Sequence, residues 1–247
     1  MEQINKVRAV FISDVHIGMP EAHLSELLNT LKYLEFEYLY LVGDMIDGWK
    51  LKRKFAWPAN ANTLMQKVLR LSRKGVKVVY TYGNHDDFLE QFVGESFGGV
   101  EVVETVMHKT LRGENILILH GQQFDGFIGC AKWLQILGSV AYDTLLSCNH
   151  GLNKIRKLFG LNHWSVSQWL KSKTKSAIGY INNFEKIVAD YAKSHKADAV
   201  LCGHIHQPCI SKAQAVAYYN CGDWVENCSY LVETLEGEIE LRRATSS

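Results

Sequence analysis

Five short polar motifs of the sequence contain residue types that bind divalent metal ions. In chain order they are Asp14-Val15-His16, Gly43-Asp44, Gly83-Asn84-His85-Asp86, His120-Gly121 and Gly203-His204-Ile205-His206. Carboxylate, amide and imidazole groups are mixed oxygen and nitrogen ligands, which suit manganese, iron or zinc better than a soft thiolate site does. The motifs therefore predict a metal centre, provided that the fold brings them together.

Each motif directly follows a predicted β-strand. The strands are apolar runs rich in β-branched residues, at residues 7–12, 38–42, 76–81, 116–119 and 197–202. Apolar residues at helical spacing predict helices at 21–34, 62–73 and 177–193. Alternating strands and helices favour right-handed crossovers and a mainly parallel layer. Because ligand sites in such sheets lie beyond the carboxyl ends of the strands, we expect the motifs to converge there. The glycines before Asp44, Asn84 and His204 are expected to allow sharp turns.

The composition predicts a globular α/β protein of one large domain. Of 247 residues, 47% are hydrophobic and 21% are charged, and the net charge is +1, which excludes disorder. No signal peptide or membrane span is evident, so we predict a cytoplasmic protein. The six cysteines show no CxxC pair and are interpreted as free thiols.

One segment, residues 126–176, interrupts this pattern with helical, aromatic-rich sequence. It has seven Lys and Arg residues against Asp143 alone, so its charge is 7 − 1 = +6, and the rest of the chain sums to 1 − 6 = −5. Aromatic rings mixed with lysines are typical of interfaces with anionic headgroups or phosphates. We predict a helical cap inserted into the single domain of residues 1–247. The alternative is a solvated helical lid whose aromatic residues only pack onto the core.

The motifs DxH, GDxxD, GNHD, HG and GHxH, in this order, resemble the calcineurin-like metallophosphoesterase superfamily. The resemblance implies a β-sandwich with flanking helices, in αββα layers, and two divalent metal ions, with manganese expected and iron or zinc as alternatives. One metal is implied to be held by Asp14, His16, Asp44 and His206. The other is implied to be held by Asp44, Asn84, His120 and His204, with Asp44 bridging.

The resemblance also implies the catalytic roles. Attack by a metal-bound hydroxide would cleave the phosphoester. His85 is implied as the histidine that interacts with the phosphoryl or leaving-group oxygen, and Asp86 as the carboxylate that orients it.

A closer resemblance is carried by GDMIDGW, by the basic aromatic insertion, and by GHIHQP followed by NCGDWVENC. These features resemble the UDP-2,3-diacylglucosamine diphosphatase group, which cuts a diphosphate in lipid A synthesis to give UMP and a lipid monophosphate. Two positions depart from that pattern. His85 stands where arginine is usual in the group, and Gln122 stands where a carboxylate is usual.

The charges near the motifs predict the substrate contacts. The run Trp49 to Trp57 has four cations and no acid, and it is expected to form an anion-binding rim. The predicted contacts are Asp47, Lys50, Lys52, Arg53, Lys54, Trp164, Lys171, Lys175 and Asp223.

The predicted partners are a nucleotide-linked lipid or another phosphoester and, peripherally, an anionic membrane. Two alternatives stay open. One is a phosphodiesterase or phosphatase of broader specificity, with nucleic acid not expected as substrate. The other is a catalytically inactive peripheral membrane or nucleotide-binding module. The sequence leaves the oligomeric state open.

Overall fold

A computed structural model describes residues 4–125, 166–212 and 215–244. The chain divides into two compact units, one of residues 1–123 with 187–247 and one of residues 124–186. The first unit contains every strand described below and all five motifs. Most of the predicted cap, residues 126–165, lies outside the described residues.

The described elements agree closely with the predicted ones. The helices are α1 (Leu24–Lys32), α2 (Gly48–Arg53), α3 (Ala59–Arg73) and α4 (Val166–Ser194), with short 3-10 helices at Asp87–Phe92 and Gln122–Phe124. The strands are β1 (Asn5–Lys6), β2 (Ala9–Ile12), β3 (Leu34–Glu35), β4 (Tyr38–Val42), β5 (Lys77–Thr81), β6 (Ser96–Phe97), β7 (Val100–Val103), β8 (Thr105–Lys109), β9 (Asn115–Leu119), β10 (Ala199–Cys202), β11 (Cys209–Ser211), β12 (Ala217–Asn220), β13 (Ser229–Glu233) and β14 (Ile239–Arg243).

Two sheets contain the strands that precede the motifs. The larger has the order β14-β13-β2-β4-β5-β7-β6, and β2, β4, β5 and β7 run parallel. The smaller has the order β11-β12-β10-β9-β8, and β9, β10 and β12 run parallel. The predicted parallel layer is therefore present, and antiparallel strands border the parallel core of each sheet. Strands β1 and β3 form a separate parallel pair.

The two sheets share one buried core. Phe11 and Val42 of the larger sheet belong to the same cluster as Ile118 and Leu201 of the smaller sheet. Burying a side chain of this size contributes about 1.5–3 kcal/mol to stability. Since side chains alternate between the faces of a strand, the neighbouring residues point the other way.

Helices cover the outer face of the larger sheet. Leu41 clusters there with Leu27 of α1 and Leu64 of α3. The four residues of β10 are also all buried, as expected for a strand covered on both faces. Val188 and Ala192, near the end of α4, are buried as well, and a turn leads from there into β10. The predicted α/β sandwich with flanking helices is confirmed.

Two elements differ from the prediction. Helix α2 occupies a basic run that lacks the apolar spacing of an amphipathic helix, and it begins because Asp47 caps it by accepting a hydrogen bond from Lys50 N. Helix α4 begins at Val166, before the predicted start at residue 177. Within the described ranges, no helix combines the length and the apolar character needed to cross a membrane.

Candidate active site

The five motifs meet at the carboxyl ends of β2, β4, β5, β9 and β10, as predicted. The side chains of Asp14, His16, Asp44, His120 and His204 are all buried. Parallel strands explain this convergence, because their carboxyl ends lie at the same edge of a sheet.

The first cluster of close contacts consists of Asp14, His16 and His206. His206 Nε2 lies 3.1 Å from Asp14 Oδ1, and His16 Nε2 lies 3.7 Å from the same oxygen. The two Nε2 atoms are 3.3 Å apart. Potential ligand atoms of these three residues all lie within 4.8 Å of one another, which fits a single shared cation.

The second cluster consists of Asp14, Asp44 and His120, whose ligand atoms also lie within 4.8 Å of one another. His120 Nδ1 lies 2.9 Å from the carbonyl oxygen of Val42, which can only accept, so Nδ1 carries the proton. In the neutral ring, the lone pair of Nε2 then faces Asp44 Oδ2 at 3.3 Å. A lone pair and a carboxylate oxygen facing each other require a cation or a proton between them. His204 adjoins this cluster, with its ring centroid 5.2 Å from that of His120.

Several buried polar atoms of the site have no hydrogen-bond partner of acceptable geometry among the described residues. They include Asp14 Oδ1, Asn84 Oδ1 and His120 Nε2. Leaving such an atom unsatisfied costs about 1–3 kcal/mol each. All three are good ligand atoms for a divalent cation, so the residues present fit the metal centre that the motifs predict.

The charges of the cluster also favour a cation. Burial alone would lower the pKa of His16, but Asp14, Asp47 and Asp44 outweigh it and raise the pKa to about 10. Burial opposes protonation of His120 too, yet Asp44 and Asp14 raise its pKa to about 9. Burial would raise the pKa of Asp44, whereas the nearby His120 holds it at about 2. Without a metal, protons supply the positive charge that these carboxylates attract.

The backbone is strained at the predicted ligands. Asp14, His16, Asp44, His204 and His206 have φ angles of 53°, 51°, 52°, 68° and 52°. These values lie in the left-handed region that residues other than glycine rarely adopt, and each costs on the order of 1–3 kcal/mol. Within the described part of the chain, only Lys196 and Cys228 share this feature among non-glycine residues. Strain is thus concentrated at the motifs.

The motif glycines are required for two different reasons. Gly43 has a φ of +73°, so it makes the sharp turn that was predicted. The φ angles of Gly83 and Gly203 lie outside the left-handed region, and space is the reason there. A Cβ on Gly83 would collide with Asp44, and a Cβ on Gly203 would collide with Ser13 and Asp14. A left-handed φ is therefore present at Gly43 and absent at Gly83 and Gly203.

His85 lies beside the clusters and is held by Asp47 and Trp49. Its Nδ1 is 3.2 Å from Asp47 Oδ1, and its ring centroid is 4.2 Å from that of Trp49. The other oxygen of Asp47 is 3.6 Å from His16 Nδ1. Burial opposes ionisation of Asp47, but His16, His85 and the Lys50 N–H hold its pKa far below the usual range. Asp47 is therefore an anion that contacts both histidines.

The structure does not bring Asp86 to His85 in the predicted way. Asp86 Oδ2 accepts hydrogen bonds from Met45 N at 2.8 Å and Tyr80 Oη at 2.5 Å, and Oδ1 accepts one from Gly83 N at 2.6 Å. Asp86 thus links the loop after β4 to the loop after β5 by accepting hydrogen bonds from both. The orienting position predicted for Asp86 is occupied by Asp47 instead. The GDxxD spacing was the signal that pointed to Asp47, since it sets a second acid three residues after Asp44.

Asp223, predicted as a substrate contact, is fully buried. Its Oδ1 accepts hydrogen bonds from Val225 N and Glu226 N at 2.8 and 2.5 Å, and its Oδ2 lies 4.0 Å from His206 Nδ1. This arrangement supports the loop behind His206 and leaves no exposed oxygen for a substrate. Asp223 follows β12 and so forms a sixth polar strand end at the same edge.

The other predicted contacts have mixed outcomes. The exposed cations of the rim are Lys50, Lys52 and Arg53 on α2 and Lys54 directly after it. Trp164 lies outside the described residues, and so do the side chains of Lys171 and Lys175.

Sequence comparison finds relatives of this chain among known proteins. The chain is 32% identical over 117 residues to a UDP-2,3-diacylglucosamine hydrolase of Histophilus somni, a match that covers 46% of this chain and 49% of that relative. The chain therefore spans about half the length of that relative. A longer match, to a UDP-2,3-diacylglucosamine hydrolase of Vibrio atlanticus, is 25% identical over 253 residues and covers 92% of this chain and 94% of the relative.

Structural comparison supports the fold alone. A hypothetical protein of Pyrococcus horikoshii aligns with a TM-score of 0.52 at 10% identity, covering 98% of this chain and 89% of that chain. The model of the calcineurin-like phosphoesterase family matches residues 7–208, a range that contains all five motifs. The chain belongs to the calcineurin-like phosphoesterase family.

Proposed function

We propose that this protein is a metal-dependent phosphohydrolase with a dinuclear centre. The observation that carries the proposal is a pair of clusters whose ligand atoms lie within 4.8 Å of one another, formed by Asp14, His16 and His206 and by Asp14, Asp44 and His120. Buried ligand atoms of the site also have no hydrogen-bond partner among the described residues. The first cation would be held by Asp14, His16, Asp44 and His206. The second would be held by Asp44, Asn84, His120 and His204.

The mixed oxygen and imidazole donor set, without thiolates, suits manganese, iron or zinc. Manganese is the proposed metal, with iron or zinc as the alternatives. When bound, two divalent cations supply a water of lowered pKa and neutralise charge on the phosphoryl oxygens. The protein supplies the fixed positions of the ligands. Asp44 Oδ1 accepts a hydrogen bond from His85 N at 2.7 Å, so the proposed bridging carboxylate and the proposed catalytic histidine are held to each other.

His85 is proposed as the proton donor to the leaving-group oxygen. Because Asp47 lies against Nδ1, the other ring nitrogen, Nε2, is the one available to a substrate. Trp49 covers one side of the ring and limits its rotation.

The proposed substrate is the diphosphate of UDP-2,3-diacylglucosamine or of a similar nucleotide-linked lipid, which would give UMP and a lipid monophosphate. Similarity to proteins named UDP-2,3-diacylglucosamine hydrolase supports this substrate. The exposed cations Lys50, Lys52, Arg53 and Lys54 are proposed to attract the phosphates, since they are neighbours in sequence of Asp47 and Trp49. That the chain is a single domain with a cap at residues 126–176 stays a prediction.

A second candidate is a phosphodiesterase or phosphatase of broader specificity. The specific observation in its favour is His85 itself, because a histidine braced by a carboxylate can protonate many different leaving groups.

The test is turnover by purified protein supplied with Mn²⁺. We expect release of UMP from UDP-2,3-diacylglucosamine. Asp44→Asn should reduce the rate at least about 10³-fold, because it weakens the proposed shared ligand of both cations. The matched control is Asp190→Asn, an exposed carboxylate on α4 that should leave the rate unchanged.

Each other outcome identifies an alternative. Turnover of a chromogenic phosphodiester without turnover of the lipid would support the broader enzyme. Metal-loaded protein that hydrolyses neither substrate would support a non-catalytic binding module and would contradict the proposal.

A further inference from the structure

A third group of ligand-type side chains lies next to the two clusters of the candidate active site. It consists of His16, Asp47 and His85, and one potential ligand atom of each lies within 4.8 Å of the other two. His16 contacts Asp47 through Nδ1, whereas its Nε2 faces Asp14 and His206. The ring of His16 therefore lies between two groups of ligands. We call His16, Asp47 and His85 the third cluster.

The distances within the third cluster suit a shared cation better than direct hydrogen bonds. Asp47 Oδ1 lies 3.2 Å from His85 Nδ1, and Asp47 Oδ2 lies 3.6 Å from His16 Nδ1. Hydrogen bonds between a charged nitrogen and a carboxylate are about 2.7–2.9 Å long. Zn²⁺ binds nitrogen and oxygen at about 2.0–2.2 Å, so two ligand atoms at tetrahedral positions around it lie about 3.3–3.6 Å apart. The observed separations are close to that range.

Both histidine nitrogens of the third cluster are unsatisfied. His16 Nδ1 and His85 Nδ1 are buried atoms with no hydrogen-bond partner of acceptable geometry among the described residues. The two rings also meet edge to face, with centroids 4.6 Å apart. Buried polar atoms in proteins normally have a partner, and an exception needs an explanation such as an ion. A single cation beside Asp47 would satisfy both nitrogens.

Asp47 brings a negative charge that no Lys or Arg neutralises within the described part of the chain. Its ion pairs there are with His16 and His85. Oδ1 accepts one hydrogen bond, from Lys50 N at 2.8 Å, and each carboxylate oxygen has a second lone pair. Only 3% of the residue is exposed, so solvent does little to screen the charge. The carboxylate can therefore still bind a cation.

The composition of the third cluster favours Zn²⁺. Two imidazoles and one carboxylate, with the fourth position open, are a common zinc ligand set. A given set of ligands also binds zinc more tightly than manganese. The third cluster shares the ring of His16 with the proposed first cation, and a ring that binds a cation through each nitrogen must lose both of its protons. A third cation should therefore bind last and most weakly.

We propose that His16, Asp47 and His85 bind a third divalent cation, Zn²⁺, when that ion is in excess, and that this cation inhibits the enzyme. The inhibition rests on the proposed function, because it acts on the proposed proton donor. With a metal on Nδ1, the ring of His85 has only Nε2 left to carry a proton, so it cannot hold the two protons of an imidazolium. Binding of the ion requires no turnover and is tested separately.

The experiment counts bound zinc ions. Metal-free, full-length protein is dialysed to equilibrium against Zn²⁺ over a range of concentrations, and zinc per chain is measured by elemental analysis. We expect wild type to bind three ions at excess zinc. His85→Ala should bind the last ion at least about tenfold more weakly, because it removes a ligand of the third cluster and no residue proposed to hold the other two cations.

The matched control is His23→Ala. It removes an exposed histidine whose Nδ1 lies 3.6 Å from Glu26, and so it tests for zinc bound at the surface. We expect this variant to bind as many zinc ions as wild type. Circular dichroism checks that both variants are folded.

A second measurement follows the rate. Wild type loaded with Mn²⁺ is titrated with Zn²⁺ during turnover of a phosphoester that it hydrolyses, and both metals are counted in parallel samples. We expect the rate to fall at least about tenfold as one zinc ion binds, while two manganese ions stay in place.

The proposal is overturned if wild type and His85→Ala bind the same number of zinc ions with the same affinity, or if His23→Ala loses the same ion. It is also overturned if manganese leaves as the rate falls, because zinc would then have replaced a catalytic ion. Protein that hydrolyses no phosphoester would contradict the proposed function instead, and the zinc count of His85→Ala would still decide whether the third cluster binds a cation.

Discussion

At the scale of single residues, Asp47 connects more of the site than its sequence position suggests. It caps α2 through Lys50 N, and its two oxygens lie against His85 and His16. One carboxylate therefore fixes the proposed proton donor, one proposed metal ligand and the start of a helix.

Asp47→Asn should lower kcat about 10²-fold or more and change KM less, because a neutral amide replaces the anion that holds the proposed proton donor His85. Steady-state kinetics would measure both parameters. The exposed Asp87→Asn is the control, and a wild-type kcat for Asp47→Asn would contradict the assignment.

Protonation of His16 and His120 should compete with metal binding. Their pKa values of about 10 and about 9 lie above the ordinary 6.5, so in the metal-free protein their protonation stabilises the fold fully below pH 6.5. That contribution is lost as the pH rises through the raised values. A cation binds only neutral imidazole. At higher pH, fewer protons must therefore leave these two histidines before the metal can bind.

The increase in Tm caused by a fixed concentration of Mn²⁺ should therefore be larger at pH 8 than at pH 6. Differential scanning calorimetry with and without the metal measures it. An increase in Tm that shrinks as the pH rises would show that these histidines are not the ligands.

At the scale of elements, the motifs could be located from sequence because each follows an apolar strand. The hydrophobic pattern of the sequence indicates where each strand ends. Because these strands run parallel, their ends lie close together. The partners of His85 could not be found in this way. Asp86 is adjacent to His85 in sequence, yet the turn after β5 directs it towards Tyr80 and Gly83, while Asp47 reaches His85 from another loop. Such a contact depends on tertiary packing.

Gly203→Ala should be costly because the new methyl group would collide with Ser13 and Asp14 in a buried, well-packed loop. We expect a loss of about 1–3 kcal/mol in the free energy of unfolding and weaker metal binding. Gly179→Ala is the matched control, because nothing lies within 4 Å of its added Cβ and alanine favours a helix. Urea denaturation would measure both variants, and equal stabilities would contradict the account of the loop.

At the scale of the whole molecule, a buried polar network joins the two sheets away from the metal ligands. Arg8 and Tyr40 belong to the side of the larger sheet, and His108 belongs to β8 of the smaller sheet. Glu233 accepts hydrogen bonds from Arg8 at 2.9 Å and contacts His108 Nε2 at 2.8 Å, while His108 Nδ1 contacts Tyr40 Oη at 2.8 Å. The network fixes the alignment of the sheets and hence of the two sets of strand ends.

Glu233→Ala should destabilise the protein by about 3 kcal/mol, because it leaves Arg8 and His108 without their buried acceptor. Glu35→Ala removes an exposed partner of Lys6 and should cost less than about 1 kcal/mol. Thermal unfolding of the two variants measures the difference. A Glu233→Ala protein as stable as Glu35→Ala would show that the network does not hold the sheets together.

The central claim, a dinuclear centre at the shared edge of the sheets, is tested most directly by counting metal ions. Wild-type protein loaded with Mn²⁺ and freed of excess metal by gel filtration should contain two ions per chain by elemental analysis. Asp44→Asn, with unchanged circular dichroism, should retain one or fewer because it weakens the ligand that both sites share. A folded wild-type protein that retains no metal, or one ion that Asp44→Asn leaves in place, would contradict the account.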